Sequence, residues 1–107
     1  MSHVTTHVLN AALGRPAADV PVVLLSDDGV VLDAGTTDTD GRIGELGPER
    51  LEPGIYRLVF DTAAYFVASK QTGFYPRVTI DFEITGDSHY HVPVLLSPFA
   101  YSTYRGS

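Results

Sequence analysis

The sequence predicts an all-β fold, a sandwich of seven or eight short strands carrying one small helix. Short β-prone runs separated by turn signals recur along its 107 residues, the pattern of sandwiches and barrels rather than of alternating strands and helices. The stretch PRVTIDFEIT alternates strictly: Val78, Ile80, Phe82 and Ile84 share one face, and Thr79, Asp81 and Glu83 the other. That is the mark of a strand with one buried and one wet face. Helical spacing occurs in a single short segment.

Taken in order, VTTHVLN reads as the first strand, and the turn-rich ALGRPAAD follows it. VPVVLLS, the turn DDG and VVLDAGTT come next, then a loop over DTDGRIGELGPERLEPG. IYRLVF sets Tyr56, Leu58 and Phe60 opposite Arg57. The helix follows: Asp61 caps it, Ala63, Phe66 and Val67 fall at i, i+3 and i+4, Lys70 complements the dipole, and Gly73 stops it. PRVTIDFEIT, HYHVPVLLS and AYSTYRG complete the set. VPVVLLS is apolar on both faces and should be covered on both; VPVLLS near the end is likewise two-sided, so a second subunit is expected to cover it. No repeat, low-complexity tract or linker interrupts the chain, and its length suits one domain, residues 1–107.

An apolar fraction of 44% and a charged fraction of 19% are globular values. Thirteen acidic against seven basic residues give a formal charge of −6. The basic residues are scattered, so neither nucleic acid nor an anionic membrane is an expected partner. Cysteine is absent, which removes disulfides, thiolate nucleophiles and thiolate ligands together and fits a reducing compartment. No apolar run approaches the roughly 20 residues of a membrane span, and no leader pattern follows Met1, so a cytoplasmic location is expected.

Chemistry must then come from other groups. The four histidines lie in two strands, His3 and His7 near the start and His89 and His91 near the end. Strand alternation points His89 and His91 the same way, with Cα atoms about 6.5 Å apart, and puts His3, Thr5 and His7 on one face. His3, beside the terminus, and His89, at the mouth of the GDS turn, read as surface or hydrogen-bonded structural residues. Two imidazoles on one face and a third from elsewhere could bind zinc with an open position. No tight ligand cluster is visible, and no metal is expected. Arg42 leaves the Asp40-Gly41 turn, where its planar fork reads either as solvated or as the holder of a carboxylate or polarised carbonyl. AYSTYRG alternates almost to the last residue, which describes either a frayed edge strand or a docked tail that holds the α-carboxylate of Ser107 in place.

THVLN with ALGRPA, TDTDGRI, and HYHVPVLLSPFAYSTYRGS together resemble the transthyretin-like 5-hydroxyisourate hydrolases of uric acid degradation. The likeness spans essentially the whole chain. Its most specific element is the closing YRGS, which separates the hydrolases from the hormone-carrying transthyretins of the same fold. The resemblance implies a prealbumin/transthyretin-like two-sheet β-sandwich and a homotetramer, a dimer of dimers with its sites in the channel between them. It also implies cofactor-free opening of the cyclic amide of a purine-derived small molecule, 5-hydroxyisourate, to 2-oxo-4-hydroxy-4-carboxy-5-ureidoimidazoline.

By the same likeness the catalytic residues are His7, Arg42, His91 and Ser107, and the substrate-binding residues are His7, Arg42, Tyr104, Arg105 and Gly106. Asn10, where relatives carry aspartate, touches none of these roles. Amide hydrolysis needs a base for water, a cation or donor for the oxyanion, and a proton for the leaving nitrogen. Imidazole titrates in the right range for the first. A serine route lacks the G-x-S-x-G elbow. The rival readings are a non-catalytic carrier of a small aromatic ligand and a ligand-free scaffold.

Overall fold

Strand alternation decides which side chains meet in the middle, and strand pairing decides which ones meet on the outside. The computed structural model describes residues 2–107. Among them are nine strands and one helix: β1 (Val4–Asn10), β2 (Arg15–Pro16), β3 (Pro21–Ser26), β4 (Val31–Thr36), β5 (Arg42–Leu46), β6 (Gly54–Phe60), α1 (Thr62–Ala68), β7 (Val78–Ile84), β8 (Tyr90–Ser97) and β9 (Ala100–Thr103). They form the expected two-sheet sandwich. One sheet runs β4-β3-β6-β7, antiparallel throughout. The other runs β2-β1-β8-β9, with β5 sharing the free edge of β1.

Every inward position that alternation assigned in PRVTIDFEIT faces the core: Val78, Ile80 and Ile84 are buried and Phe82 packs against them. Leu58 and Phe60 of β6 and Val22 and Leu24 of β3 meet Val4, Val8, Val92, Val94 and Leu96 of the other sheet. Burying each such side chain contributes about 1.5–3 kcal/mol. On the outer side of β3, Val23 and Leu25 are half-buried. On the outer side of β8, Pro93 is buried and Leu95 exposed.

Two strands lie where the sequence reads as turn and loop. RIGEL has only Ile43 and Leu46 as apolar residues, both buried, and the register shift between Val4 and Thr6 lets both turn inward. That irregular spacing hides the strand from an alternation test, and the free edge of β1 is what recruits it. β2 is two residues on the rest of that edge, Leu9 opposite Pro16 and Asn10 opposite Arg15.

Asp61 caps α1 as expected, its carboxylate accepting from the Ala64 N–H at 3.0 Å. The buried face differs from the expected one. Thr62, Tyr65 and Phe66 are inward, while Val67 is 79% exposed. Helix i, i+4 spacing does not say which of two adjacent stripes faces the protein. Lys70 lies beyond the Ser69 cap in a left-handed conformation, φ 58°, so the helix has already ended there. Gly73 has another duty: a Cβ there would collide with the Phe66 ring.

Asn10 ties this helix to β1. Its amide donates to the Tyr65 hydroxyl at 2.8 Å and to Gln71 Oε1 at 2.9 Å, and its carbonyl accepts from the Leu13 N–H at 3.0 Å. The residue is 1% exposed. Asn10→Ala strands these partners, and we expect it to lower unfolding free energy by about 1–3 kcal/mol in urea titration. An unchanged denaturation midpoint contradicts that role.

Candidate active site

The outer face of the β1 sheet collects the polar residues that alternation leaves there. β1 and β8 run parallel, with Thr5 opposite His91 and His7 opposite Pro93. β1 and β5 run antiparallel, with His7 opposite Arg42. Cross-strand neighbours share a face, so Thr5, His7, Arg42 and His91 stand side by side although up to 86 positions separate them in sequence.

His7 is oriented by the turn that precedes β5. The Asp38 carboxylate accepts from the N–H groups of Asp40 and Arg42, each at 2.9 Å, and closes the turn. Gly41 sits at φ 76°, where a side chain would run into the Val8 carbonyl. The turn thereby aims the Asp40 carbonyl at His7 Nε2, 2.8 Å away. A carbonyl only accepts, so Nε2 of His7 carries a hydrogen, and in the neutral ring Nδ1 presents the lone pair.

A cavity of about 320 Å³ opens on this face, lined by Thr5, Thr6, Arg42, Ile43, Gly44, His89, His91 and Ser107. Three of the expected site residues, Arg42, His91 and Ser107, are therefore in its wall. The His7 ring lies 6.4 Å from that of His91, centroid to centroid. Among the described residues Arg42 has no ion-pair partner, which leaves its fork available.

The tail returns to β8 after β9. The Gly106 N–H donates to the His91 carbonyl at 2.9 Å, and a Cβ on Gly106 would lie 2.6 Å from Cδ2 of the His91 ring. Gly106 is thus the floor against which that imidazole rests. Arg105 points away from the cavity: its guanidinium carbon lies 4.3 Å from the Tyr90 ring centroid. Its Nη2 donates to Ser88 Oγ at 3.3 Å and the His89 carbonyl at 3.4 Å. In this position it pins the tail to the start of β8. Tyr104 is 56% exposed and lies outside the cavity lining.

His3 and His89 part company. His3 is buried, accepts from the Leu51 N–H at 2.9 Å, donates to the Ser88 carbonyl at 3.0 Å and packs edge-on to Tyr90. It is the structural residue expected, but it turns away from the face of Thr5 and His7, because it precedes the first strand residue, Val4. His89 instead joins the cavity wall, and so does Thr5. The HYH spacing was the available signal for His89; nothing in the sequence marks Thr5 beyond its place two residues before His7. Among the described residues, no three His, Cys, Asp or Glu side chains gather to hold a metal ion. No helix among them is long and apolar enough to cross a membrane.

His91 has its pKa lowered from the ordinary 6.5, first by burial and then by the Arg42 guanidinium, His7 and His89. Each cause disfavours the imidazolium, so the ring stays neutral and able to accept a proton to lower pH than an exposed histidine. If turnover needs that lone pair, the acid limb of kcat/KM against pH lies below 6.5, with activity lost as pH falls through the lowered value. A limb at or above the ordinary histidine value contradicts this.

A two-sheet sandwich with imidazoles, a guanidinium and a docked tail around one open cavity defines a transthyretin-type protein with a polar, hydrolase-like pocket. The chain belongs to the HIUase/Transthyretin family, whose model matches residues 4–106. It is 46% identical over 108 residues to a 5-hydroxyisourate hydrolase of Salmonella typhimurium, covering 96% of this chain and 79% of that protein. The structure of Klebsiella pneumoniae 5-hydroxyisourate hydrolase superposes with a TM-score of 0.91 at 37% identity, covering 100% of this chain and 94% of that one. Sea bream transthyretin in complex with thyroxine superposes with a TM-score of 0.88 at 33% identity, covering 96% and 93%.

Proposed function

We propose that this protein hydrolyses 5-hydroxyisourate to 2-oxo-4-hydroxy-4-carboxy-5-ureidoimidazoline, acting as a single domain of residues 1–107. The fold alone does not separate a hydrolase from a carrier, since both structural neighbours superpose almost equally well. What favours hydrolysis is the convergence of Arg42, His91 and Ser107 on one cavity with His7 beside it, joined to the likeness to named hydrolases. A carrier of an apolar ligand has no use for an unpaired guanidinium and a neutral imidazole facing each other.

In this reading His91, kept neutral by its surroundings, takes the proton of the attacking water. Arg42 holds the carbonyl oxygen as it becomes an oxyanion, where a charged fork placed in advance is worth most. The ring C–N bond then breaks and the leaving nitrogen receives the proton back. His7, its Nδ1 lone pair set by the Asp40 carbonyl, orients the substrate by accepting a hydrogen bond from an N–H of the substrate. Ser107 completes the cavity wall, Gly106 backs the His91 ring and Arg105 pins the tail that carries both, while Tyr104 stands outside the lining. No cofactor enters the scheme.

The working molecule is a homotetramer in the cytoplasm. Supporting the assembly are the edges of β7 and β9, unpaired among the described residues, and the exposed Leu95, Phe99 and Tyr101 on or beside β8 and β9. Sedimentation at four chain masses is expected; a monomer removes the assembly. The activity is tested by adding purified protein to freshly generated 5-hydroxyisourate and following its ultraviolet decay. Faster loss than in buffer is expected, and an unchanged decay overturns the assignment.

A further inference from the structure

The His91 ring is gripped from behind by a residue outside the expected site. Thr5 places its hydroxyl 2.7 Å from Nδ1 of His91 and 2.7 Å from Nε2 of His89. A hydroxyl has a single hydrogen, so it donates to one imidazole and accepts from the other. Two arrangements satisfy this. In the first, Thr5 donates to Nδ1 of His91 and accepts from Nε2–H of His89, and both neutral rings carry their hydrogen on Nε2. In the second, His91 donates from Nδ1 to Thr5, Thr5 donates to Nε2 of His89, and both rings carry it on Nδ1. Only the second leaves Nε2 of His91 as a bare lone pair. One hydroxyl therefore makes the two rings change tautomer together.

The two ends of this chain of hydrogen bonds face different surroundings. His91 is half-buried, lines the cavity with Arg42 and Ser107, and has no hydrogen-bond partner for Nε2 among the described residues. The charged and titratable groups that act on it are Arg42, His7 and His89, and Ser107 lines the same cavity. His89 is exposed, and Thr5 between them is 8% exposed. A proton that settles on His91 sits on a half-buried ring near a fixed guanidinium; one that settles on His89 sits on an exposed ring of the same cavity wall, open to water.

We propose that Thr5 is a positioning residue that couples the His91 tautomer to that of His89 and relays a proton between His91 and the solvent-facing His89. The proposal rests on the hydrolytic reading of the same site. As Nε2 of His91 takes a proton from the attacking water, its Nδ1 proton passes to the Thr5 oxygen. The Thr5 hydrogen moves to Nε2 of His89, which becomes the imidazolium. When Nε2 of His91 gives its proton to the leaving nitrogen, the two transfers reverse. No proton is gained or lost over the cycle, and the transient charge stays away from Arg42.

Three variants test this. Thr5→Val removes the hydroxyl at nearly constant size, Thr5→Ser keeps it, and His89→Gln keeps a polar partner on an exposed position that cannot carry the proton onward. The expected result is a kcat lowered about tenfold or more in Thr5→Val and His89→Gln, with KM little changed and most of the loss recovered in Thr5→Ser. Ring 15N shifts of the wild-type protein should show His89 and His91 both carrying their hydrogen on Nδ1, with the link lost in Thr5→Val. Wild-type kcat in Thr5→Val or in His89→Gln, a serine variant as poor as the valine one, or either ring carrying its hydrogen on Nε2 in the wild type overturns the relay. A wild-type protein that leaves substrate decay unchanged overturns the hydrolytic reading itself. The two failures are distinguishable because the ring nitrogen signals do not depend on turnover.

Discussion

Arg42→Lys should lower kcat/KM for 5-hydroxyisourate by about two to three orders of magnitude while the sandwich and its assembly stay intact. Lysine keeps the charge but replaces a planar fork with a single mobile ammonium. The difference matters because Arg42 starts a short strand whose register puts it directly opposite His7, so the direction of its side chain is set by pairing. Little stability is at stake: Arg42 is exposed, and its structural bonds run through its backbone, its N–H donating to the Asp38 carboxylate and its carbonyl accepting from the Asp38 N–H. Stopped-flow ultraviolet kinetics beside far-ultraviolet circular dichroism separate the two effects. A lysine variant with wild-type turnover denies the guanidinium its role at the oxyanion.

Removing residues 104–107 should abolish hydrolysis before it abolishes folding. The segment contributes the Gly106 N–H to the His91 carbonyl, the cation over Tyr90, and Ser107 in the cavity wall. It contributes nothing to the apolar core. One backbone hydrogen bond, two long exposed hydrogen bonds from Arg105 and one cation–π contact together amount to roughly 2–3 kcal/mol, which a sandwich with twenty buried apolar side chains tolerates. Gly106→Ala is the milder form of the experiment. Its methyl pushes against the His91 ring while the rest of the tail remains, and a loss of kcat without a shift in melting temperature is expected. A truncated protein that turns over at the intact rate contradicts the tail's role.

The sandwich and the carriers that share it show where function resides in this architecture. The inner faces of both sheets are apolar and would serve a hydrolase and a carrier alike. The outer face of the β1 sheet is where His7, Arg42 and His91 lie, supported by a glycine that admits an imbedded imidazole and by a turn built around Asp38.

Much of this was legible in the residues. Period-two alternation is a local property, so the inward faces of β6 and β7 and the helix cap at Asp61 could be read from neighbours in sequence. The resemblance of THVLN, TDTDGRI and the closing YRGS singled out His7, Arg42, His91 and the tail. The helix face was misjudged because spacing gives a stripe but not its direction, and β5 was hidden because a bulge breaks its alternation. Strand pairing joins distant segments, and no local pattern records which edge meets which. Tertiary structure alone decided that β1 lies parallel to β8, and that pairing is what lets a threonine near one end of the chain hold two histidines near the other.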